Sequence, residues 1–478
     1  MKLIFSPLCL LAAFVMTFSA QAGQDDHFSD EDLAVARDLM EQGLAGDGGF
    51  EVVKDLTTRI GPRLAGTEDD ARAVEWAENW LNDMDFDKVW LEPVTFPTWT
   101  RETERVEVRT PKIQSFEALA IGFSPATPEG GLESEVVMFD DLADLEAAEP
   151  DGVEGKIVFI RNRMERARDG SGYGPAVQAR SLGASVAAEK GAKGLIIRSI
   201  GTSTNRFAHT GTMRFDDGMR RLPAAAISNP DADQLERLIE LGEPVELFME
   251  IDAQVNEPYT SHNVIAEITG SEKPEEIIAL GAHLDSWDVG TGALDDGAGI
   301  AIITEAARLI LESGHRPKRS IHIIYFAAEE IGLWGGRAWA EKHHENFDKV
   351  QVAAESDFGA GQIYELRARV VDEAWPVIQS IQTVLEPLGI DLGERRAFGG
   401  PDFSPSLPYG LAVADLQQDG TDYFDYHHTE NDTLDKIDPE DLAQNAAAYA
   451  AFAWLTSQSP IQFGSGQALL DEEAAAED

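Results

Sequence analysis

Cysteine is almost missing from this chain: Cys9 is the only one in 478 residues, and it lies inside an N-terminal apolar stretch. With that stretch removed no thiol remains, which excludes disulfides, cysteine nucleophiles and thiolate metal sites together. Positive charge is scarce as well. Against 86 Asp and Glu there are only 38 Lys and Arg, a net charge of −48 with a sequence pI near 4.4. That field repels phosphate backbones and excludes nucleic acid as a partner; the surplus acid reads as a well-solvated surface. Beyond the N-terminus no segment offers about 18 uninterrupted apolar residues, so no membrane span is expected and no membrane partner. Histidine is rare, at 10 residues, and the position of each one is therefore informative.

What is present begins with an export signal. Lys2 is followed by an apolar run over residues 3–18, then Ser19-Ala20-Gln21-Ala22 before the polar Gly23-Gln24-Asp25. One early lysine, a short apolar core and an AxA ending predict a signal peptide over residues 1–22, hence a secreted or periplasmic protein. Leu8 precedes Cys9 where a bacterial lipoprotein site carries Gly or Ala, so lipidation is not expected.

The hydrophobic content of 43% is ample for real cores, and the length sets a prior of about three domains. Residues 23–115 form the first part of a main domain, its start in the position of a pro-segment. Helices are predicted at 29–43 and 51–59, then a third after Gly61-Pro62 with Thr67 and Asp70 in capping-box positions, then the strand KVWLEPVTF. Residues 116–255 change to short strands and Gly/Pro turns with one helix at 231–241, a β-rich unit inserted into the main domain. Over 256–464 strands alternate with helices: strand, turn, strand across 263–280, helix 299–313, strand 321–326, helix 332–344, strand 350–354, helix 374–388. Residues 465–478 read as an acidic tail. The alternation predicts an α/β fold with a mixed, mainly parallel sheet flanked by helices, and ligands in such sheets sit at the carboxyl ends of the strands.

Those ends carry the polar residues. One strand runs into Gly281-Ala282-His283-Leu284-Asp285, with Asp295-Asp296 a loop later; the next runs into Ala327-Ala328-Glu329-Glu330, the third into Glu355-Ser356-Asp357, and His427-His428 follow late in the chain. Any one of these is unremarkable in so acidic a protein. Together they place carboxylates and the scarce imidazoles behind successive apolar strands, where unpaired charge is costly without a cation. Two histidines and several carboxylates form the nitrogen and oxygen donor set of a zinc pair with open positions.

Through GAHLDSWDVGTGALDDGAG, YFAAEEIGLWGG, ESDFG and HHTENDT the sequence resembles the M28 family of zinc exopeptidases, and the likeness extends upstream through IGPRLAGTEDDARA and an insert similar to a protease-associated domain. Within the family the wording is most similar to the carboxypeptidase Q branch. The resemblance implies two Zn2+ per chain. It makes His283 and Asp357 ligands, Asp295 the bridging carboxylate, Glu330 and His428 further ligands, Glu329 the general base, and Asp285 the carboxylate that orients the His283 imidazole. The HTxxDT run fits from His428 and leaves His427 free; some relatives carry Tyr before the final ligand, so at His427 an oxyanion contact would be imidazole-based or absent. Pro401 replaces a Ser common in relatives, with Asp402, Phe403 and Ser404 beside the pocket. His262, His315, His322, His343 and His344 read as packing or capping residues, and His209 as a loop residue or a contributor to a shared cleft.

The activity expected is hydrolysis of dipeptides or short peptides by metal-activated water, of carboxypeptidase or dipeptidase type, with Arg395 and Arg396 as candidate cations for the substrate carboxylate. An aminopeptidase of the same family is the alternative. A glutaminyl cyclase and an inactive binding ectodomain are disfavoured because the full ligand set and the base are present. The sequence leaves the oligomeric state open, a homodimer included.

Overall fold

The computed structural model of the protein describes residues 27–214 and 218–477; the predicted signal peptide lies outside them. Three helices come first, α1 (Asp30–Ala45), α2 (Gly48–Arg59) and α3 (Glu68–Asn82). Ser29 caps α1 in a reciprocal capping box with Asp32. Thr67 caps α3 in one direction only, because the Asp70 carboxylate turns back to accept from Gly66 N. Val35, Ala36 and Leu39 of α1 are buried, and the Trp454 indole donates to the Asp32 carbonyl at 3.0 Å, so this first helix belongs to the core.

The strand expected over KVWLEPVTF is the opening of a far longer one, β1 (Lys88–Thr110). Its second half, TRETERVEVRT, is too charged to read as a buried strand, and Pro97, which has no amide to donate, falls at a register shift between Phe96 and Thr98. After it come β2 (Gln114–Phe116), β3 (Ala118–Ala120), β4 (Leu132–Phe139), α4 (Leu142–Ala147), β5 (Ile157–Ile160), α5 (Tyr173–Glu189), β6 (Gly194–Arg198), β7 (Ala224–Ile227), α6 (Asn229–Glu240) and β8 (Glu246–Ile268). β8 pairs antiparallel with β1 along nearly its whole length, from Lys88↔Glu267 to Thr110↔Glu246. At about 3.3 Å per residue each strand spans roughly 70 Å, so this ribbon is a spine shared by two halves of one sheet.

On one half the order is β8-β4-β5-β6-β7-β3, with β4 to β7 mutually parallel. The segment expected to be β-rich is therefore an α/β layer carrying three helices. α5 escapes the sequence reading because YGPAVQARSLGASVAAE is rich in small residues and presents no apolar stripe; Ala176, Ala179, Ala184 and Ala187 are all buried.

The other half contains β9 (Lys273–His283), α7 (Ala298–Glu312), β10 (Arg319–Phe326), α8 (Trp334–His343), β11 (Val350–Glu355), β12 (Ile363–Arg369), α9 (Trp375–Leu385), β13 (Asp391–Leu392), β14 (Val413–Gln418), α10 (Pro439–Gln458) and α11 (Gln467–Glu477). Its order is β13-β12-β14-β11-β9-β10-β8. β8 and β9 follow one another across a short turn yet do not pair: β10 lies between them, antiparallel to β8 and parallel to β9. The carbonyls of Pro317 and Lys318 take the amides of Ser271, Glu272 and Lys273, which steers the returning chain across the turn. α7 and α10 cover one face with α1 and α2 behind them, while Phe326, Trp339, Phe347 and Phe403 fill the other. The expected tail is α11, held by buried Leu469 and a 2.6 Å pair between Glu473 and Arg369. The expected class, a mixed α/β sheet flanked by helices, is the one observed. No described helix is long and apolar enough to cross a membrane.

Candidate active site

β9, β10 and β11 run parallel with Phe326 opposite His283 and Glu355 opposite Gly281, so the polar residues that follow the three strands emerge at one edge. The loop of residues 419–432, after β14, folds over that edge and adds the imidazoles. Asp295 is the centre: its Oδ1 lies 3.1 Å from His283 Nε2, and its Oδ2 lies 3.2 Å from His428 Nε2 and 3.6 Å from His427 Nε2. His283 Nε2 is also 3.5 Å from Asp357 Oδ1, and His428 Nε2 is 2.9 Å from Glu330 Oε2. The other nitrogen of each of these two rings faces a main-chain carbonyl: His283 Nδ1 and Asp285 O are 3.0 Å apart, His428 Nδ1 and Thr210 O 3.3 Å. With Nδ1–H assigned to those carbonyls, both Nε2 lone pairs point inward.

The donor set fits cations. Ligand atoms of His283, Asp295 and Glu330 lie within 4.8 Å of one another, as do those of Asp295, His427 and His428, and those of His283, Asp296 and Asp357. Asp295 Oδ2 and Glu330 Oε1 are buried without a hydrogen-bond donor, an expensive state for carboxylate oxygens unless a cation meets them. Burial, with Asp295 nearby, pushes the Glu330 carboxyl up to about 7. Burial likewise raises Glu329 well above the usual carboxylate range, with Asp357 and Glu330 adding to it against the pull of His283. The half-buried Glu329 carboxylate has no hydrogen-bond partner among the described residues and is free to meet a water.

The Asp285 carboxylate stands 3.6 Å from His283 Nδ1, beside the imidazole that the resemblance assigned it to orient. It also accepts from Glu329 N at 3.0 Å and Glu330 N at 3.3 Å. It thereby fixes the turn that presents both glutamates, while its main-chain carbonyl orients the imidazole. Ala328 and His428, next to or among the site residues, have φ of 56° and 59°. This left-handed conformation costs roughly 1–3 kcal/mol and is tolerated where surrounding structure enforces it.

Other expected contacts fall elsewhere. Arg395 is held by Asp372 and lies over Trp375, away from the gathered site residues. Asp402 is buried behind Glu355, accepting from Gly336 N, and Phe403 packs on Phe326 and Trp339, so this segment is core. His427 stacks on His428 at 3.5 Å between centroids, and its Nδ1 is buried with no partner. His209, by contrast, comes into the site region: it is buried and its Nδ1 lies 2.7 Å from the His427 carbonyl. His322 pairs with Glu267 and His343 with Glu92, as packing residues.

Residues 263–453 match the profile of peptidase family M28. Carboxypeptidase Q of Bos taurus is 32% identical over 441 residues, covering 92% of this chain and 92% of that one. The chain belongs to peptidase family M28. Human carboxypeptidase Q is 31% identical over 420 residues, 88% of this chain and 87% of that one. A crystal structure of an M28 peptidase precursor from Shewanella amazonensis SB2B superposes with a TM-score of 0.89 at 49% identity, covering 91% of this chain and 98% of that one. An aminopeptidase from Aneurinibacillus sp. strain AM-1, at 23% identity and a TM-score of 0.62, shares the fold.

Three buried residues of this M28 metallopeptidase escape a reading of strand ends. Asp432 accepts from Ala293 N, Leu294 N and Asp295 N at 3.0, 2.7 and 3.2 Å, cradling the loop that presents Asp295. Asp296 accepts from His283 N and Gly299 N at 3.0 and 2.9 Å. Gly299 passes so close to Asp296 and the Ser356 carbonyl that any Cβ there would collide with them. Arg63, wholly buried, donates only to main-chain carbonyls, those of Gly61, Leu284, Thr291 and Gly292. Asp432 and Arg63 both lie in the segments HHTENDT and IGPRLAGT, but a motif does not say which atoms its members hold.

Proposed function

We propose that this M28 peptidase is an exported di-zinc exopeptidase of carboxypeptidase or dipeptidase type, releasing one residue from dipeptides or short peptides. The observation that carries the two-metal reading is Asp295, whose two oxygens face the two inward-pointing imidazoles separately. His283 and Asp357 would hold one zinc, Glu330 and His428 the other, and Asp295 both. When bound, such a pair supplies a water of lowered pKa and a polarised scissile carbonyl. Glu329, unpartnered and raised by burial, takes the proton from the attacking water and returns it to the leaving amine. Asp285 keeps Glu329 and Glu330 pointing in different directions by fastening both amides. His427 steadies His428 by stacking. Residues 116–255 form an inserted unit whose loop at 199–212 closes over the imidazoles, with Thr210 N donating to His428 O at 3.0 Å; such closure supports a short-substrate limit.

The likeness to carboxypeptidase Q over about nine-tenths of the chain supports cleavage at the C-terminal side. The test is to incubate the zinc-loaded protein, processed at its N-terminus, with free, N-blocked and C-amidated dipeptides while counting metals. Cleavage of free and N-blocked substrates, no cleavage of C-amidated ones, close to two zinc per chain and loss of activity with a chelator are expected. Cleavage that requires a free amine but tolerates a C-terminal amide would instead make it an aminopeptidase.

A further inference from the structure

The carbonyl oxygen under attack gains negative charge, and a preorganised donor is needed where it develops. His427 is poorly placed to be that donor. Its Nε2 faces Asp295, its Nδ1 is sealed from solvent, and its ring is enclosed by His428, Tyr423, Phe424 and Tyr173.

The Tyr173 hydroxyl is better placed. Tyr173 opens α5, its ring stacked on Phe424 (centroids 5.1 Å, 20° between planes) and edge-on to His427 at 5.5 Å. One imidazole therefore separates it from the carboxylate at the centre of the site. Arg180 lies seven residues on, two turns along the same face, and its Nη2 donates to Tyr173 Oη at 2.6 Å. A guanidinium has no acceptor, so in this bond the phenol oxygen accepts. Its own hydrogen must then point elsewhere, and among the described residues nothing accepts it. Arg180 is itself buried, anchored by a 3.1 Å bond from Nη1 to the Thr210 carbonyl, and among the described residues no carboxylate lies within ion-pair distance of it. Its guanidinium, which also lies 3.4 Å from His428 Nδ1, acts on the phenol from that side. Space for the guanidinium exists because residue 211 is glycine: at φ 128° its missing Cβ would overlap Arg180. Burial holds the phenol above its usual pKa, against Arg180 and together with Glu329 and Glu330, so it remains a protonated donor.

We infer that Tyr173, supplied by the 116–255 segment and polarised by Arg180, donates a hydrogen bond from its hydroxyl to the substrate carbonyl oxygen as the tetrahedral intermediate forms. Tyr173 is then a catalytic residue and Arg180 a positioning residue. The inference rests on the peptidase reading above. It also means that the segment, through this hydroxyl, completes the site rather than merely lidding it.

The test is Tyr173→Phe, which removes one oxygen and leaves the ring stacking intact. On a dipeptide that the wild type cleaves, kcat should fall about a hundredfold, as loss of one oxyanion donor does, with KM within about threefold and zinc content unchanged. A phosphinic dipeptide analogue should lose affinity by the same factor as kcat/KM, while a product amino acid should not. Arg180→Met should lower kcat less, and Arg180→Lys should recover part of that loss. Wild-type kcat in Tyr173→Phe, or a change confined to KM, would overturn the inference while leaving the peptidase reading intact. A zinc-loaded wild type that cleaves no peptide would overturn that reading instead.

Discussion

Asp432 supplies no predicted ligand atom, yet it should govern how tightly metal is held. Oδ1 accepts from the amides of Ala293 and Leu294, Oδ2 from the amide of Asp295. In Asp432→Asn one side-chain oxygen can still serve two amides, but the new NH2 group faces the Asp295 N–H, donor against donor. One charge-assisted hydrogen bond is lost, a change of about 1.5–3 kcal/mol. The effect falls on the backbone of the residue that must present both oxygens to cations. If it is expressed in the metal-bound state, zinc affinity weakens about ten- to a hundredfold, at 1.4 kcal/mol per factor of ten. The assay is chelator competition for zinc alongside thermal melts of apo and loaded protein. Because ligand that binds only the folded state adds stability by mass action, the variant should show a smaller rise in Tm on adding zinc. An affinity within twofold of wild type, with the same zinc-dependent rise in Tm, would refute the idea that Asp432 presets Asp295.

Within Ala327-Ala328-Glu329-Glu330, Glu329→Gln should retain metal and fold but lose on the order of a hundredfold or more in rate, whereas Glu330→Gln should lose metal; swapped phenotypes, read by metal analysis and steady-state kinetics, would reverse the two assignments. Far from the site, the buried Glu92 carboxylate lies 2.8 Å from Lys342 Nζ and 3.1 Å from His343 Nε2, and although burial opposes ionisation, His343 and Lys342 hold its pKa at about 2 instead of 4.5. A depressed carboxylate pKa contributes stability that is complete above 4.5 and lost as pH falls from there through 2. Glu92→Gln should therefore have a lower urea midpoint at pH 7, with the gap to wild type closing between pH 4.5 and pH 2; a gap constant over that range would show the ion pairs to be irrelevant.

Which residues gather at the candidate site was largely legible in the amino-acid sequence because the signal is local. His283, Glu329, Glu330 and Asp357 each follow an apolar run by a few residues, and a rule about strand ends finds them without coordinates. The α/β class was legible for the same reason, through alternation of strand and helix from residue 263 onward. Periodicity, however, reports only which side of an element meets water. α10 is buried nearly all round and α5 is built largely of small residues, so no stripe marks them, and the second half of β1 is too charged to stand out. Nor could adjacency along the chain place β10 between β8 and β9, since hydrogen bonds to the 317–318 carbonyls from the amides of residues 271–273 decide that. What only the tertiary structure decided is which atoms side chains hold. Asp285 fixes two amides as well as standing beside an imidazole, Asp432 cradles Asp295 from 137 residues away, and Arg180 lies 3.4 Å from His428 across 248 residues. Such contacts leave no local signature, because the spacing that matters to them is set by the closing of the 419–432 loop onto α5 and not by any repeat along the chain.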